Sequence, residues 1–111
     1  MPTGRGRLGV AAATNGKLYA VGGSEATPAS FLNSVEEYDP LADRWTTRTA
    51  MPTARDGLGL AASNGKLYAV GGLNDAPTPY FVAVVEAYDP ATDTWATRAP
   101  MQPASTSPLP P

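Results

Sequence analysis

Asn15-Gly16-Lys17-Leu18-Tyr19-Ala20-Val21-Gly22-Gly23 returns almost unchanged as Asn64-Gly65-Lys66-Leu67-Tyr68-Ala69-Val70-Gly71-Gly72. Asn-Gly is the strongest short hairpin signal, because both turn positions tolerate positive φ. The run after it is of strand length and apolar, and the two glycines stop it where another segment can approach closely. The rest of the chain repeats around this stretch. Met1-Pro2-Thr3 returns as Met51-Pro52-Thr53, Tyr38-Asp39-Pro40 as Tyr88-Asp89-Pro90, and Trp45 as Trp95. The spacing is 49 or 50 residues throughout. A period of that length marks one supersecondary unit used twice, and such a unit rarely buries its core alone.

Within the first copy, Leu8–Ala13 reads as a strand and Lys17–Val21 as its hairpin return. Ser24–Asn33 reads as a loop. Ser34–Tyr38 is a third strand, Asp39–Asp43 a tight turn begun by Asp and fixed by Pro, and Arg44–Arg48 a fourth strand. No stretch keeps helical periodicity over ten residues. Four sequential strands with short turns predict an all-β antiparallel meander. Val35 and Tyr38 point to opposite faces, as do Leu18 and Tyr19, so each sheet is apolar on both sides. Tandem sheets of this kind sandwich one another, and radial stacking into a propeller does that. The division expected is one blade at 1–50, a second at 51–100, and a Pro-rich tail at 101–111. Met101 is expected to stand between blades as Met51 does, with a loose polyproline-like end beyond it.

The spacing of Gly22-Gly23, Glu36-Glu37-Tyr38-Asp39-Pro40 and Trp45 resembles the kelch repeat. The same pattern recurs at Gly71-Gly72, Glu86-Ala87-Tyr88-Asp89-Pro90 and Trp95. Gly22, Gly23, Tyr38, Trp45, Gly71, Gly72, Tyr88 and Trp95 carry the signature. The resemblance implies four-stranded propeller blades, usually six or seven to a ring, and most often a non-enzymatic binding or scaffold role with protein or peptide ligands. This chain holds two repeats. Head-to-tail association closes a ring when the rotation allows. Three copies would give six blades, so a homotrimer is the favoured partner arrangement; two or four copies give four or eight, and pairs cannot give seven. The competing expectation is a piece of a longer propeller.

Composition narrows the function. Net charge is −2 with no basic cluster, which argues against nucleic acid as a partner. No apolar run approaches the roughly 18 residues of a membrane helix, so no membrane partner is expected. Without a signal-peptide pattern the default compartment is the cytoplasm. The chain has neither Cys nor His, which removes thiolate sites and the commonest metal ligand and general base. The copper oxidases that share the kelch architecture use Cys, Tyr and His at their metal. No cofactor, metal or catalytic residue is therefore assigned, and the chain is read as non-enzymatic. The alternatives are a designed or ancestral-like fragment without an evolved ligand, and a ligand-processing or sugar-binding propeller.

Candidate ligand contacts follow from position. Arg5 and Arg55 precede equivalent inner strands, where a ring of forked donors suits a carboxylate or phosphate; the competing reading pairs them with Glu36 and Glu86. Asp56, whose counterpart is Gly6, would dilute such a ring. The links after the second and fourth strands leave one end of each blade and hold Glu25, Asp75 and Tyr80, the other candidates. Phe31 and Phe81 are expected to fold back as loop anchors. The repeated Tyr and Trp residues read as blade packing. Asp39, Asp43, Asp89 and Asp93 read as turn chemistry, since calcium wants 6–8 oxygens.

Overall fold

In a computed structural model, which describes residues 1, 4–26, 29–75 and 79–100, the chain forms twelve strands in chain order. They are β1 (Gly9–Ala12), β2 (Leu18–Val21), β3 (Ser24–Ala26), β4 (Ala29–Phe31), β5 (Val35–Asp39) and β6 (Arg44–Arg48). The second copy gives β7 (Gly59–Ser63), β8 (Lys66–Val70), β9 (Leu73–Asn74), β10 (Tyr80–Phe81), β11 (Val85–Asp89) and β12 (Thr94–Arg98). Two four-stranded antiparallel sheets result, ordered β1-β2-β5-β6 and β7-β8-β11-β12. Each sheet draws all four strands from one repeat. Met101 and the Pro-rich tail lie outside the described residues.

The segment expected to be a loop between the second and third strands is a small hairpin in both copies. Ser24 pairs with Phe31 in the first and Leu73 with Phe81 in the second. The arms span two or three residues, too short for a period-2 pattern to show. Single bridges, Gly6 to Ser24 and Asp56 to Leu73, tie each hairpin to the chain entering β1 or β7.

The one-residue difference in repeat spacing has its origin in the first hairpin. In the second copy Asn64 and Gly65 both take positive φ, at 52° and 76°, and Ser63 pairs directly with Lys66. This is the two-residue turn that Asn-Gly favours. In the first copy only Gly16 is left-handed, at 84°, and the Ala13 and Lys17 backbones close a three-residue loop. The Asn15 side chain accepts from the Lys17 amide at 3.0 Å. The same dipeptide therefore serves two turn types.

The blades pack face to face, with β1 approaching β7 at the inner edge. Tyr19, Val21 and Val35 of the first blade, all 0% exposed, meet Leu58, Leu67, Ala69 and Tyr88 of the second, and Met51 from the linker fills the seam. The Tyr19 and Tyr88 rings lie 5.7 Å apart at 58°, a tilted contact. The double glycine sits beside this seam. Gly22 and Gly23 take φ of 67° and 97°. A Cβ on Gly22 would stand 2.6 Å from the Arg55 carbonyl oxygen, and one on Gly23 as close to the Gly6 carbonyl oxygen. Side chains are excluded there by conformation and by space.

Leu67→Ala empties a site that is 0% exposed. Such a truncation costs about 2–5 kcal/mol. The expected result is a lower urea midpoint with an unchanged slope, read by tryptophan fluorescence.

Candidate functional site

Arg5 and Arg55 do not present their charge to a mouth in this chain. Both side chains are 0% exposed. Arg5 donates to the carbonyls of Gly22 at 2.8 Å, Ser34 at 3.0 Å and Ala20 at 3.2 Å, and to Glu36 Oε1 at 2.5 Å. Arg55 repeats this on Gly71 and Val84, both at 3.0 Å, and on Glu86 Oε1 at 2.5 Å. Thr53 adds a hydroxyl bond to the other Glu86 oxygen at 2.9 Å. The pairing reading thus describes both arginines. Each guanidinium ties the end of the second strand to the entry of the third, where the chain leaves the ladder at the double-glycine turn; in the first blade the Ser34 carbonyl also accepts from the Gly22 amide at 2.9 Å.

The other candidates are spread over the hairpins. Glu25 lies in β3, opposite Ser30, and is partly buried. Asp75 and Tyr80 are exposed. Among the described residues, none of the three shares a hydrogen bond or ion pair with another candidate. Phe31 is partly covered, but Phe81 is 85% exposed and does not fold back as an anchor. It belongs to the two-residue arm β10, whose pairing holds its backbone but gives its ring nothing to rest on. No group of three acids fit to hold a metal occurs among the described residues.

Two polar clusters at the blade seam escaped the sequence reading. Near the inner edge, Arg7 Nε of the first blade lies 2.9 Å from Asp56 Oδ2 of the second, and Ser24 donates to the same oxygen at 3.1 Å. Arg7 aligns with Gly57 and Asp56 with Gly6, so the copies differ at two positions that complement each other. That complementarity was the signal available. Farther out, Glu37 takes a two-point bond from Arg48, at 3.1 and 2.9 Å, and one from Tyr19 at 2.6 Å, with Lys17 Nζ at 3.5 Å.

Beyond Glu37, Thr49 crosses to the second blade. Its amide and hydroxyl both donate to Asp93 at 2.9 Å, and its carbonyl accepts from the Trp95 indole at 2.9 Å. Tyr88 also donates to Asp93, at 2.6 Å. The tyrosine–tryptophan contact is the same in both blades, 5.0 Å for Tyr38–Trp45 and 5.1 Å for Tyr88–Trp95. The aspartates do turn work: Asp43 and Asp93 take positive φ, and Asp39 and Asp89 accept backbone amides of their own turns.

These contacts set the titration of the seam. The Tyr88 hydrogen bond, followed by the Thr49 amide, holds Asp93 below the usual aspartate value. Burial works to raise the Glu37 carboxyl, but the Arg48 and Tyr19 hydrogen bonds outweigh it and the net shift is downward. Burial, reinforced by the bond to Glu37, pushes the Tyr19 hydroxyl up to about 12. Burial likewise raises Tyr88.

The open face of the first blade is a groove of about 480 Å³ lined by Met1, Leu8, Val10, Leu18, Ala20, Tyr38 and Trp45, with Tyr19 at its margin. The first seven align with Met51, Leu58, Leu60, Leu67, Ala69, Tyr88 and Trp95, which in the second blade form or flank the seam that receives the first. The chain's Kelch motif matches cover residues 5–52 and 54–102. The chain belongs to the kelch family. No curated protein matches it. Its fold is similar to a solved structure described as "Structure of YjhT", with a TM-score of 0.76 and 23% sequence identity. The match covers 93% of this chain and 30% of that one, so the kelch pair spans less than a third of that structure's length. At this identity the likeness concerns fold alone.

Glu86→Gln leaves the Arg55 guanidinium buried without its counter-charge. Breaking one side of a buried pair costs about 3–5 kcal/mol, so denaturant unfolding should show a loss of that order. Acid should also loosen the seam. Asp93 and Glu37 are depressed in the folded state, so their stabilisation is present above the ordinary carboxylate range of about 4. It is lost as pH falls through the folded values. Urea midpoints should drop between pH 5 and pH 3, and Asp93→Asn should flatten that drop.

Proposed function

We propose that the chain is a non-enzymatic kelch binding and scaffold module that completes a propeller by docking head-to-tail on further copies of itself, three copies giving six blades. The observation that carries this reading is the match between the open faces and the seam. One open face bears the counterparts of the apolar groups that the second blade offers to the first. The other bears Tyr68, Val70 and Val85, the counterparts of Tyr19, Val21 and Val35. Val10 and Val70 are 58% and 37% exposed. Exposed apolar faces of this kind mark interaction surfaces.

Polar groups on the open face of the first blade support the same reading. Among the described residues the Trp45 indole N–H has no acceptor, whereas Trp95 donates across the seam to Thr49. Asp43 takes the Tyr38 hydroxyl at 2.5 Å on Oδ1, and among the described residues its Oδ2 has no partner. A second copy would bring Ala99, the counterpart of Thr49. Its carbonyl would take the Trp45 indole, and its amide would join the Tyr38 hydroxyl on Asp43 Oδ1, as the Thr49 amide joins Tyr88 on Asp93 Oδ1. Oδ2, filled by the Thr49 hydroxyl in the second blade, would stay open. Ligands are assigned to the hairpin face, where Phe81 and Tyr80 stand exposed beside Asp75 on a rigid scaffold.

Light scattering after size exclusion tests the assembly. A species near three times 11.5 kDa is expected. Val10→Lys should yield a folded monomer, while Leu41→Lys, at a side chain 99% exposed on a turn, should assemble like the parent. A monodisperse monomer of the parent chain overturns the reading.

A further inference from the structure

The two copies differ at the place where a charge would cross between chains. In the first blade Glu37 grips Arg48 through both of its oxygens. In the second blade the counterpart of Arg48 is Arg98, and the counterpart of Glu37 is Ala87. Arg98 is exposed and makes no ion pair among the described residues. Its neighbour Ala99 is the counterpart of Thr49, whose amide sits 2.9 Å from Asp93 across the seam. Arg48 is thus next in the chain to a residue bonded to the second blade's aspartate, but is held back by its own glutamate. Arg98 has no such glutamate.

Resting on the head-to-tail reading above, we infer that Arg98 pairs with Asp43 of the adjoining copy and is the charged contact that selects this junction. Asp43 is the counterpart of Asp93, and its Oδ2 has no partner among the described residues. The apolar counterparts of the seam fix the blade-on-blade geometry, and that geometry puts residue 98 beside residue 43. The two junctions then use different ion pairs. Arg7 and Asp56 serve the seam within the chain, because their counterparts Gly57 and Gly6 leave no charge there between chains. Arg98 and Asp43 serve the seam between chains, where the Thr49 hydroxyl contact is missing because residue 99 is alanine. A charged contact of this kind disfavours wrong partners as much as it strengthens the right one.

A double-mutant cycle on assembly tests it, with Arg98→Gln, Asp43→Asn and both together. Asn keeps an acceptor for Tyr38 and tolerates the left-handed backbone, and Arg98 is exposed, so neither change threatens the fold. Dissociation would be followed by sedimentation over a dilution series at low and high salt. Each single change is expected to weaken the junction by about two- to tenfold, with the double no weaker than either. The parent should lose a similar factor in high salt, and Arg98→Gln should not. Additive losses, or an Arg98→Gln chain that assembles like the parent, overturn the pairing and leave the assembly standing. A parent chain that stays monomeric at every concentration overturns both.

Discussion

Each blade has two apolar faces, and everything else in this molecule answers to that constraint. A four-stranded sheet with one wet face can alternate polar and apolar residues. Here Tyr19 and Val21 point one way while Leu18 and Ala20 point the other, and the hydrogen-bond ladder leaves no freedom to rotate them. One face must therefore be met by a second sheet. The second repeat meets it with Leu58, Leu67, Ala69 and Tyr88, and the linker adds Met51 to the same cluster. Burial of each large side chain is worth about 1.5–3 kcal/mol, so this single seam supplies most of the core.

The buried arginines belong to the interior of each blade rather than to its ends. A buried ion pair is weak evidence of net stability, because desolvation offsets much of the attraction. Its value here lies in what the guanidinium holds. Arg5 reaches carbonyls on β2, on the glycine turn and just ahead of β5, besides its carboxylate. Those carbonyls belong to the point where the small hairpin leaves the sheet. The pair therefore closes the ladder where the chain departs from it, and the same arrangement at Arg55 shows that the requirement comes with the blade.

The sheet order, the tyrosine–tryptophan packing and the aspartate turns were legible because each is carried by a residue pattern within one repeat. The arginine pairing was legible as an alternative, since Glu36 and Glu86 recur in step with Arg5 and Arg55. The small hairpins were not, because arms of two or three residues leave no periodic trace. Phe81 misled for a different reason. Burial of an aromatic ring is the usual outcome, but a ring on a two-residue arm depends on neighbours that strand pairing does not bring. The seam clusters were hidden because Arg7 and Asp56 lie on different repeats and align with glycines. Positions where the copies complement one another leave no repeated pattern in the sequence.

Differences between copies limit how a repeat protein can grow by adding to itself. Two identical blades would make every junction alike, and a chain could then add to itself in any number that the curvature tolerates. The copies here are alike where apolar packing sets the angle between blades, and unlike where charge meets charge. Arg7 and Asp56 strengthen the seam already enforced by covalent connection, next to which their own contribution is small because the Arg7 side chain is 66% exposed. Their greater effect is on register, since an ion pair beside the innermost strands penalises a blade that slides along its neighbour. The replacement of Glu37 by Ala87 acts in the opposite sense at the outer strand, because it frees a cation instead of neutralising it. Under the proposed head-to-tail assembly, shape would be common to every junction and a handful of charged departures would decide which face meets which.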